Sequence, residues 1–574
     1  NEAGMGPNFE NVYRWLKKED TSRPVQYERA GYSDYTDIFC PMYANYAKSI
    51  KYCEDPSKDK PFIQCEYAHA MGNSEGGFKE YWELIRKYPK YQGGFIWDFV
   101  DQGMRRYVDG GKKYYYAYAG DYNKYDSRIF MNFLDNGLVS PDRVPNPHAY
   151  EVQYYYQNIW AEPKDLSSGD ITVYNENFFR NLKDYELVWC ILSNGKSLST
   201  GVISDLDVNA QSTSEIHLPY DLSYIKNNGE ELLLNVEFRL KKADQLLTAG
   251  TVVARRQMVI SNYNFPKCEV KNVYNTNNTI GDLTIKTNQR NYLTINGDNF
   301  SIDFNKNNGY LTKYVYNGKH LMKERSEMVP NFWRASTDND FGAKLQMKLK
   351  AWRNPISEMT SFDYSMKDGM AIVKADYSMK AVNAILHMTY TINNQGVIKV
   401  EENMQTLEKE AKMPYLQRFG MCLKMPYQMD VSEFYGRGPQ ENYSDRNNST
   451  FIGHYKMTAD EQYYPYIRPQ ETGNKTDIRW WKQTDLGGYG FKFISEAPLS
   501  MSALHYSMES LDEGDVKSQG HGSLVEKADY TNVCIDKVQS GLACVNSWGA
   551  VPIDKYRLPY KDYNFVFMII PNKL

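Results

Sequence analysis

The chain has 574 residues and a formal net charge of -4, with basic and acidic residues interspersed. This length allows several domains, each with its own core. No run of Lys or Arg suggests nucleic-acid or membrane-surface binding, and the longest apolar stretch, residues 565–570, is too short to span a bilayer. Composition therefore favours a soluble protein with a neutral partner, and leaves its compartment (cytoplasmic, periplasmic or secreted) open.

The eight cysteines and the aromatic residues narrow the classes further. The cysteines are scattered without CxxC spacing, which disfavours both a zinc site and a disulfide scaffold. The 49 tyrosines and 10 tryptophans suit the strands of β-sandwiches, and they also suit sites that stack against sugar rings.

Helices and short apolar strands alternate in the first part of the chain. Apolar residues at helical spacing predict helices over residues 8–20 and 78–88. The predicted strands are residues 23–28, 37–43, 61–67 and 93–100. This alternation belongs to an open α/β sheet or a closed barrel, and no GxGxxG or Walker sequence favours nucleotide binding.

Reactive side chains fall where these strands end. Tyr43, Glu66, His69, Trp97 and Asp98 lie at or near strand ends, where a barrel carries its chemistry. Each has a simpler interpretation: a glutamate beside a turn is usually solvated or capping, and a histidine is more often a structural hydrogen bonder.

A second carboxylate at the same barrel mouth is Glu2. A retaining glycosidase needs two carboxyl groups roughly 5 to 5.5 Å apart, one to attack the anomeric carbon and one to protonate the leaving oxygen. Glu2 and Glu66 are the candidates, although terminal residues such as Glu2 are often disordered.

The later part of the chain is predicted to be all β. Residues 1–157 are interpreted as the α/β domain, and residues 158–262 alternate over the span of an immunoglobulin-like sandwich. Residues 263–291, rich in Asn and Thr, predict a linker or crossing strand. Residues 292–574 predict one large antiparallel sandwich.

Several segments together resemble the large bacterial β-galactosidases of glycoside hydrolase family 2. They are NEAG at residue 1, FCPMY ending at Tyr43, CEYAHAMGN from Cys65, GGFIWDFVDQ from Gly93, DNGLVSPDRVPNP from Asp135, NFWRASTDNDFG (331–342), YGRGPQENYSDR (435–446) and NSWGAVP (546–552). The resemblance runs the whole length. It implies the second half of a (β/α)8 TIM barrel, an immunoglobulin-like sandwich and a large C-terminal sandwich.

The resemblance also implies roles for the residues. Glu66 would be the nucleophile that forms a galactosyl-enzyme intermediate, with Tyr43 beside it, and Glu2 would be the acid that becomes the base. Glu66 would then need hydrogen-bond donors around it. Glu2 would need a raised pKa, from burial or a neighbouring anion.

Sugar-binding residues follow from the same resemblance. Asn1 would hold the 2-hydroxyl, His69 another galactose hydroxyl, Trp97 the apolar face of the ring, and Trp548 the leaving group.

Two metal ions are implied as well. Mg2+ would contact Glu2, and Na+ near the galactose 6-hydroxyl would take the backbone oxygen of Phe133 and the side chain of Asn136. Asn136 would thereby also face the substrate.

The family carries a jelly-roll domain, a first immunoglobulin-like domain and the first half of the barrel ahead of the position matching Asn1. We therefore expect an N-terminal segment of the same polypeptide as partner, with the remaining metal ligands on it. Half a barrel should be neither stable nor active by itself.

A homo-oligomer is compatible with the sequence. Two alternatives stay open: a family 2 enzyme for another β-glycoside (glucuronide, mannoside or polysaccharide side chain), or a non-catalytic carbohydrate-binding or assembly fragment.

Overall fold

The computed structural model describes residues 2–122, 131–223, 229–273, 281–287 and 291–573. Asn1 lies outside these ranges. In chain order the first segment contains α1 (Pro7–Glu19), α2 (Tyr46–Glu54), β1 (Phe62–Tyr67), α3 (Phe78–Lys87), β2 (Tyr91–Ile96), β3 (Met104–Val108), β4 (Lys113–Ala117) and α4 (Pro147–Tyr155). The predicted helices at 8–20 and 78–88 are therefore confirmed, whereas α2 and α4 were not anticipated. None of the described helices is both long and apolar enough to cross a membrane.

Strands β1 and β2 pair in parallel, with Phe62 opposite Tyr91 and Tyr67 opposite Ile96. The predicted strand at 37–43 is reduced to two parallel bridges, from Phe39 to Phe62 and from Met42 to Glu66. All these segments run in one direction, so their carboxyl ends meet at one edge, as expected for barrel strands.

The predicted strand at 23–28 is wrong. Its Val25 N–H donates to the Asp37 side chain at 2.7 Å, and the Asp37 N–H donates to the Val25 carbonyl at 2.8 Å. The Asp37 carboxylate also accepts hydrogen bonds from the Tyr13 hydroxyl and the Lys17 ammonium, both on α1. Because one carboxylate satisfies these donors, the segment is held against α1 without a ladder partner.

The next seven strands form two facing sheets. They are β5 (Ile159–Asp165), β6 (Asp170–Asn175), β7 (Tyr185–Ser193), β8 (Lys196–Ile203), β9 (Ser212–His217), β10 (Leu232–Leu240) and β11 (Val252–Ser261). The sheet orders are β5-β6-β9 and β11-β10-β7-β8, all antiparallel. Alternate residues of β7 and β10, among them Trp189 and Val236, fill the core between the sheets.

The regular elements of the remaining chain are mainly antiparallel strands. It contains β12 (Thr284–Lys286), β13 (Tyr292–Asn296), β14 (Phe300–Asn305), β15 (Leu311–Tyr316), β16 (Lys319–His320), β17 (Val329–Asn331), α5 (Asp338–Gly342), α6 (Leu345–Lys348), β18 (Glu358–Lys367), β19 (Met370–Met379), β20 (Ala384–Ile392), β21 (Ile398–Thr406), β22 (Arg418–Pro426), β23 (Val431–Gly438), β24 (Phe451–Thr458), α7 (Ala459–Gln462), β25 (Lys475–Thr484), β26 (Gly490–Leu504), α8 (Met508–Leu511), β27 (Tyr530–Gln539) and β28 (Tyr563–Asn572). Strands β12 to β16 form a five-stranded sheet, and β17 to β28 form a twelve-stranded sheet. A single large core of their inward side chains joins the two.

Part of the segment 263–291 belongs to this sandwich, because β12 is the edge strand of the five-stranded sheet and pairs with β13.

Short 3₁₀ segments complete the described helices: Glu28–Ala30, Asp109–Gly111, Ala119–Asp121, Leu182–Asp184, Lys350–Trp352, Lys380–Val382, Glu410–Lys412, Gly522–Leu524 and Asp554–Tyr556.

A buried hydrogen bond from Arg446 joins the first segment to loops of the large sandwich that are themselves held by buried charged side chains. The Arg446 guanidinium donates to the Ser74 carbonyl and to Glu441, and the Asp445 carboxylate accepts the N–H groups of Leu542 and Ala543. These contacts fix where loops of the sandwich meet the edge at which β1 ends.

Candidate active site

Glu66 is the fifth residue of β1 and lies at the edge where the parallel segments end. It is only 9% exposed, and its carbonyl accepts the N–H of Tyr43 at 2.8 Å. This carboxylate therefore lies near the end of a buried strand, at the edge that the rings of Tyr43, His69 and Trp548 also border; the space they border is called the cleft below.

Tyr43 is a hydrogen-bond donor to the Glu66 side chain. Burial, followed by the charge of Glu66 and a hydrogen bond to its carboxylate, raises the pKa of Tyr43 well above its usual value. The phenol therefore stays protonated and donates to Glu66. The charge of Glu2 makes the smallest of the contributions that raise the pKa of Tyr43, and Glu2 is solvent exposed.

His69 follows β1 and is 1% exposed. Its Nδ1 lies 2.7 Å from the Ser547 hydroxyl, which donates to Asn339 Oδ1 at 2.7 Å. Asn339 Nδ2 in turn donates to the carbonyls of Leu542 and Ala543. Since the single hydroxyl hydrogen is used, Ser547 accepts from His69, and Nδ1 carries the proton by this assignment.

The other ring nitrogen of His69 faces the cleft. Burial lowers the pKa of His69 to about 4, so the imidazole is neutral near pH 7 and Nε2 is an acceptor. It lies 3.4 Å from Asn136 Nδ2. A neutral acceptor at this place is able to receive a hydroxyl hydrogen.

Aromatic rings form the rim of the cleft. The Trp548 ring meets the rings of Tyr43 and His69 edge-on at centroid distances of 4.7 and 5.2 Å, and it is tilted against the Phe133 ring at 6.1 Å. Trp548 is 47% exposed, so one side of its indole remains free for contacts. Trp97 is 41% exposed, and its carbonyl accepts the N–H of Ala70, in the loop after β1, at 2.9 Å.

The residues predicted to hold sodium lie together. Asn136 Nδ2 donates to the Phe133 carbonyl at 2.9 Å, while Asn136 Oδ1 is buried and has no hydrogen-bond partner among the described residues. The two amide atoms exchange places by a rotation of the side-chain amide. After that rotation Asn136 Oδ1 and the Phe133 carbonyl are neighbouring oxygens that fit a hard cation such as Na+, and Asn136 no longer donates to His69 Nε2.

The predicted magnesium site is different. Glu2 is the single ligand that the sequence assigns to Mg2+, and it is exposed. Over the described part of the chain, no group of three or more His, Cys, Asp or Glu side chains is placed to hold a metal ion. The described residues therefore do not make a complete magnesium site.

Charged groups behind the cleft position the loop that carries Phe133 and Asn136. Against the cost of its burial, Arg468 and Lys517 hold the pKa of Asp338 well below its usual range, and Asn132 Nδ2 donates to the Asp338 carboxylate at 3.0 Å. Asp101 accepts the Gly137 N–H at 2.7 Å, and burial raises its pKa to about 7.

Sequence reasoning missed Ser547, Asn339 and Asp338 as site residues. Two of the quoted segments, NFWRASTDNDFG and NSWGAVP, contain them, but the function was assigned to Trp548 alone. In the structure the two segments pack closely, because a Cβ on Gly342 would lie 1.9 Å from the Ser547 carbonyl oxygen and only glycine permits this approach.

Comparison with known proteins gives matches along nearly the whole chain. Residues 1–161 match the TIM barrel domain of family 2 glycosyl hydrolases, residues 171–261 match β-galactosidase domain 4, and residues 296–569 match the β-galactosidase small chain. A β-galactosidase of Priestia megaterium is 34% identical over 577 residues, covering 100% of this chain and 54% of the relative. One of Halalkalibacterium halodurans is 32% identical, covering 99% of this chain and 54% of the relative. The chain thus spans about half the length of the curated relatives it matches.

Proposed function

Because the chain belongs to the β-galactosidases of glycoside hydrolase family 2, we propose that it supplies the active site of a retaining enzyme that releases terminal β-D-galactose. One observation carries this proposal: the buried carboxylate of Glu66 accepts a hydrogen bond from the Tyr43 hydroxyl. Aromatic rings and a neutral histidine border the same cleft.

Glu66 is the proposed nucleophile. Its carboxylate attacks the anomeric carbon, the bond to the leaving oxygen breaks, and a galactosyl ester forms. Tyr43 donates to the carboxylate and so holds one oxygen in place while the other attacks. Since burial keeps this phenol protonated, it remains a donor throughout the reaction.

Glu2 is the proposed acid and base. It gives a proton to the leaving oxygen in the first step and takes one from water in the second, when the ester is hydrolysed with retention. The action of its charge on Tyr43 supports this role. Glu2 is exposed in the described chain, so we infer that bound substrate supplies much of the burial that an acid needs.

The galactose hydroxyls would meet His69 and Asn136, and Asn1 is proposed for the 2-hydroxyl. His69 Nε2 accepts a hydroxyl hydrogen because Nδ1–H is fixed on Ser547. Trp97 would pack under the sugar ring, and Trp548 against the leaving group, since both indoles are largely exposed at the rim.

Phe133 O and Asn136 Oδ1 would hold a sodium ion, and Glu2 would contribute one ligand to magnesium. Bound there, these cations would supply positive charge that orients a sugar hydroxyl and the acid carboxylate. The residues of this chain perform the proton transfer and the nucleophilic attack.

A mechanism-based label tests the proposal in the full-length protein. A 2-fluoro galactoside with a good leaving group should accumulate as an ester on Glu66, found by peptide mass spectrometry. Glu66→Gln should lower turnover of an aryl β-galactoside on the order of 10³-fold or more, because the nucleophile is lost. Glu54→Gln, an exposed glutamate of α2, is the matched control.

A label on another carboxylate would refute the assignment of Glu66. Turnover of an aryl glucuronide or mannoside in preference to the galactoside would keep the mechanism and replace the sugar. Galactose binding without turnover or labelling would favour a non-catalytic carbohydrate-binding role.

A further inference from the structure

Two cysteines face each other in the large sandwich, far along the chain from the cleft. Cys422 of β22 and Cys534 of β27 are direct partners in the antiparallel register, and their sulfur atoms are 3.3 Å apart. All eight cysteines of the chain lie within the described residues and are free.

The backbone geometry permits a bond between them. Directly opposed residues of an antiparallel pair have Cα atoms about 4.5 or 5.5 Å apart, and disulfides span Cα separations of about 4.4 to 6.8 Å. The sulfur atoms need to approach by only about 1 Å to reach bonding distance. A disulfide here therefore requires side-chain rotation and no shift of either strand.

The surroundings favour a thiolate on Cys534, whereas the hydrogen bond to Cys534 and burial raise the pKa of the Cys422 thiol. A hydrogen bond from the Cys422 thiol, supported by the charge of Arg418 and opposed by burial, lowers the pKa of the Cys534 thiol. Arg418 Nη1 lies 3.7 Å from Cys534 Sγ, and Asn331 Nδ2 donates to Cys422 Sγ at 3.2 Å. Cationic and amide groups of this kind are what distinguish reactive cysteines from inert buried ones.

The pair is also within reach of small molecules. Cys422 is partly exposed and lines a cavity of about 670 Å³ together with Asn331, Lys424 and Asn532. This volume is in the range that holds a small organic ligand. Cys534 lies behind Cys422 and is 4% exposed.

We propose that Cys422 and Cys534 are a redox-active dithiol that low-molecular-weight disulfides entering this cavity oxidise to an intramolecular disulfide. The pair holds one proton, which moves to Cys534 as the Cys422 sulfur attacks the small disulfide. One half of the reagent leaves as a thiolate and takes up the Cys534 proton. The Cys534 thiolate then attacks the Cys422 sulfur and displaces the second half. Two electrons pass from the pair to the reagent, which leaves as one thiol and one thiolate, and the thiolate takes a proton from solvent.

Peptide mapping of the full-length protein tests this assignment with oxidised glutathione as the probe. The treated protein is denatured in iodoacetamide and digested without reduction. The expected product is a peptide that joins the segments containing residues 422 and 534, two hydrogen atoms lighter than their sum. Dithiothreitol should remove it. Full alkylation of both cysteines after treatment would overturn the proposal.

Single substitutions show which cysteine attacks glutathione and which one then closes the disulfide. Cys534→Ser should leave glutathione trapped on Cys422, because the resolving thiol is absent, and Cys422→Ser should leave position 534 unmodified. Cys53→Ser, at an unrelated buried cysteine of α2, should keep the cross-linked peptide at its wild-type yield. Glutathione retained on Cys422 in the wild-type protein, with Cys534 alkylated, would show access without pairing and would also overturn the proposal.

Discussion

His69 Nδ1 and Ser547 Oγ lie 2.7 Å apart although 478 residues separate them in the chain. This hydrogen bond joins the loop after β1 to a loop of the large sandwich. Because Ser547 gives its own hydrogen to Asn339, the bond fixes the proton of His69 on Nδ1 and leaves Nε2 as an acceptor towards the cleft.

Ser547→Ala should therefore weaken substrate binding. Loss of one buried hydrogen bond costs about 1 kcal/mol, which predicts kcat/KM for an aryl β-galactoside about five- to tenfold lower. The effect should lie mainly in KM, because His69 contacts a sugar hydroxyl in the proposed mechanism. Ser547→Thr should restore the value, and Ser444→Ala is the control. An unchanged KM in Ser547→Ala would contradict the positioning role.

Glu2→Ala should separate substrates by leaving group. A poor leaving group needs the proton that Glu2 gives, whereas an activated aryl group does not, so the loss should be much larger for the first. Added azide should partly restore turnover of the activated substrate, since it replaces the water that the base would deprotonate. Equal losses with both substrates and no azide effect would rule out the proposed role.

Asn136→Ala should reduce the response to sodium. Its amide and the Phe133 carbonyl are the two oxygens that fit the ion, so the variant keeps only one of them. Turnover and thermal midpoint, followed as Na+ replaces choline at constant ionic strength, should both change less than in the wild-type protein. The control is Asn158→Ala, an exposed asparagine. A sodium response of wild-type size in Asn136→Ala would refute the assignment.

Stability should fall as pH drops below about 6.5. Burial lowers the folded-state pKa of His69 from 6.5 to about 4, so the unfolded chain binds this proton more readily. The contribution, at most about 3 kcal/mol, is complete above pH 6.5 and is lost as pH falls towards 4. Burial lowers the pKa of His148 to about 3 and adds to the same trend.

Thermal midpoints measured from pH 7 to pH 4.5 test this prediction. His69→Gln should give a shallower decline than the wild-type protein, because one buried imidazole no longer has to be protonated. His320→Gln, at an exposed histidine of β16, should leave the decline unchanged. The same slope in all three proteins would show that His69 does not contribute.

Local pattern alone indicated much of the fold. Apolar spacing located α1 and α3, apolar runs located β1 and β2, and alternation indicated that the chain after residue 157 is sheet. The carboxylate near the end of β1 was also recognisable, because Glu66 lies near the end of an apolar strand, where a barrel carries its chemistry. The sequence segments quoted above identified the family.

Only the tertiary structure decided which residues complete the site. The segment at 23–28 has the composition of a strand, yet the Asp37 carboxylate, brought there by the turn between them, takes its N–H and removes the need for a ladder. Hydrogen bonds such as that between His69 and Ser547 depend on distances across two domains, and no periodicity in either segment encodes them. Sequence pattern determines which face of an element is buried, whereas the partner that buries it is fixed only when the chain packs.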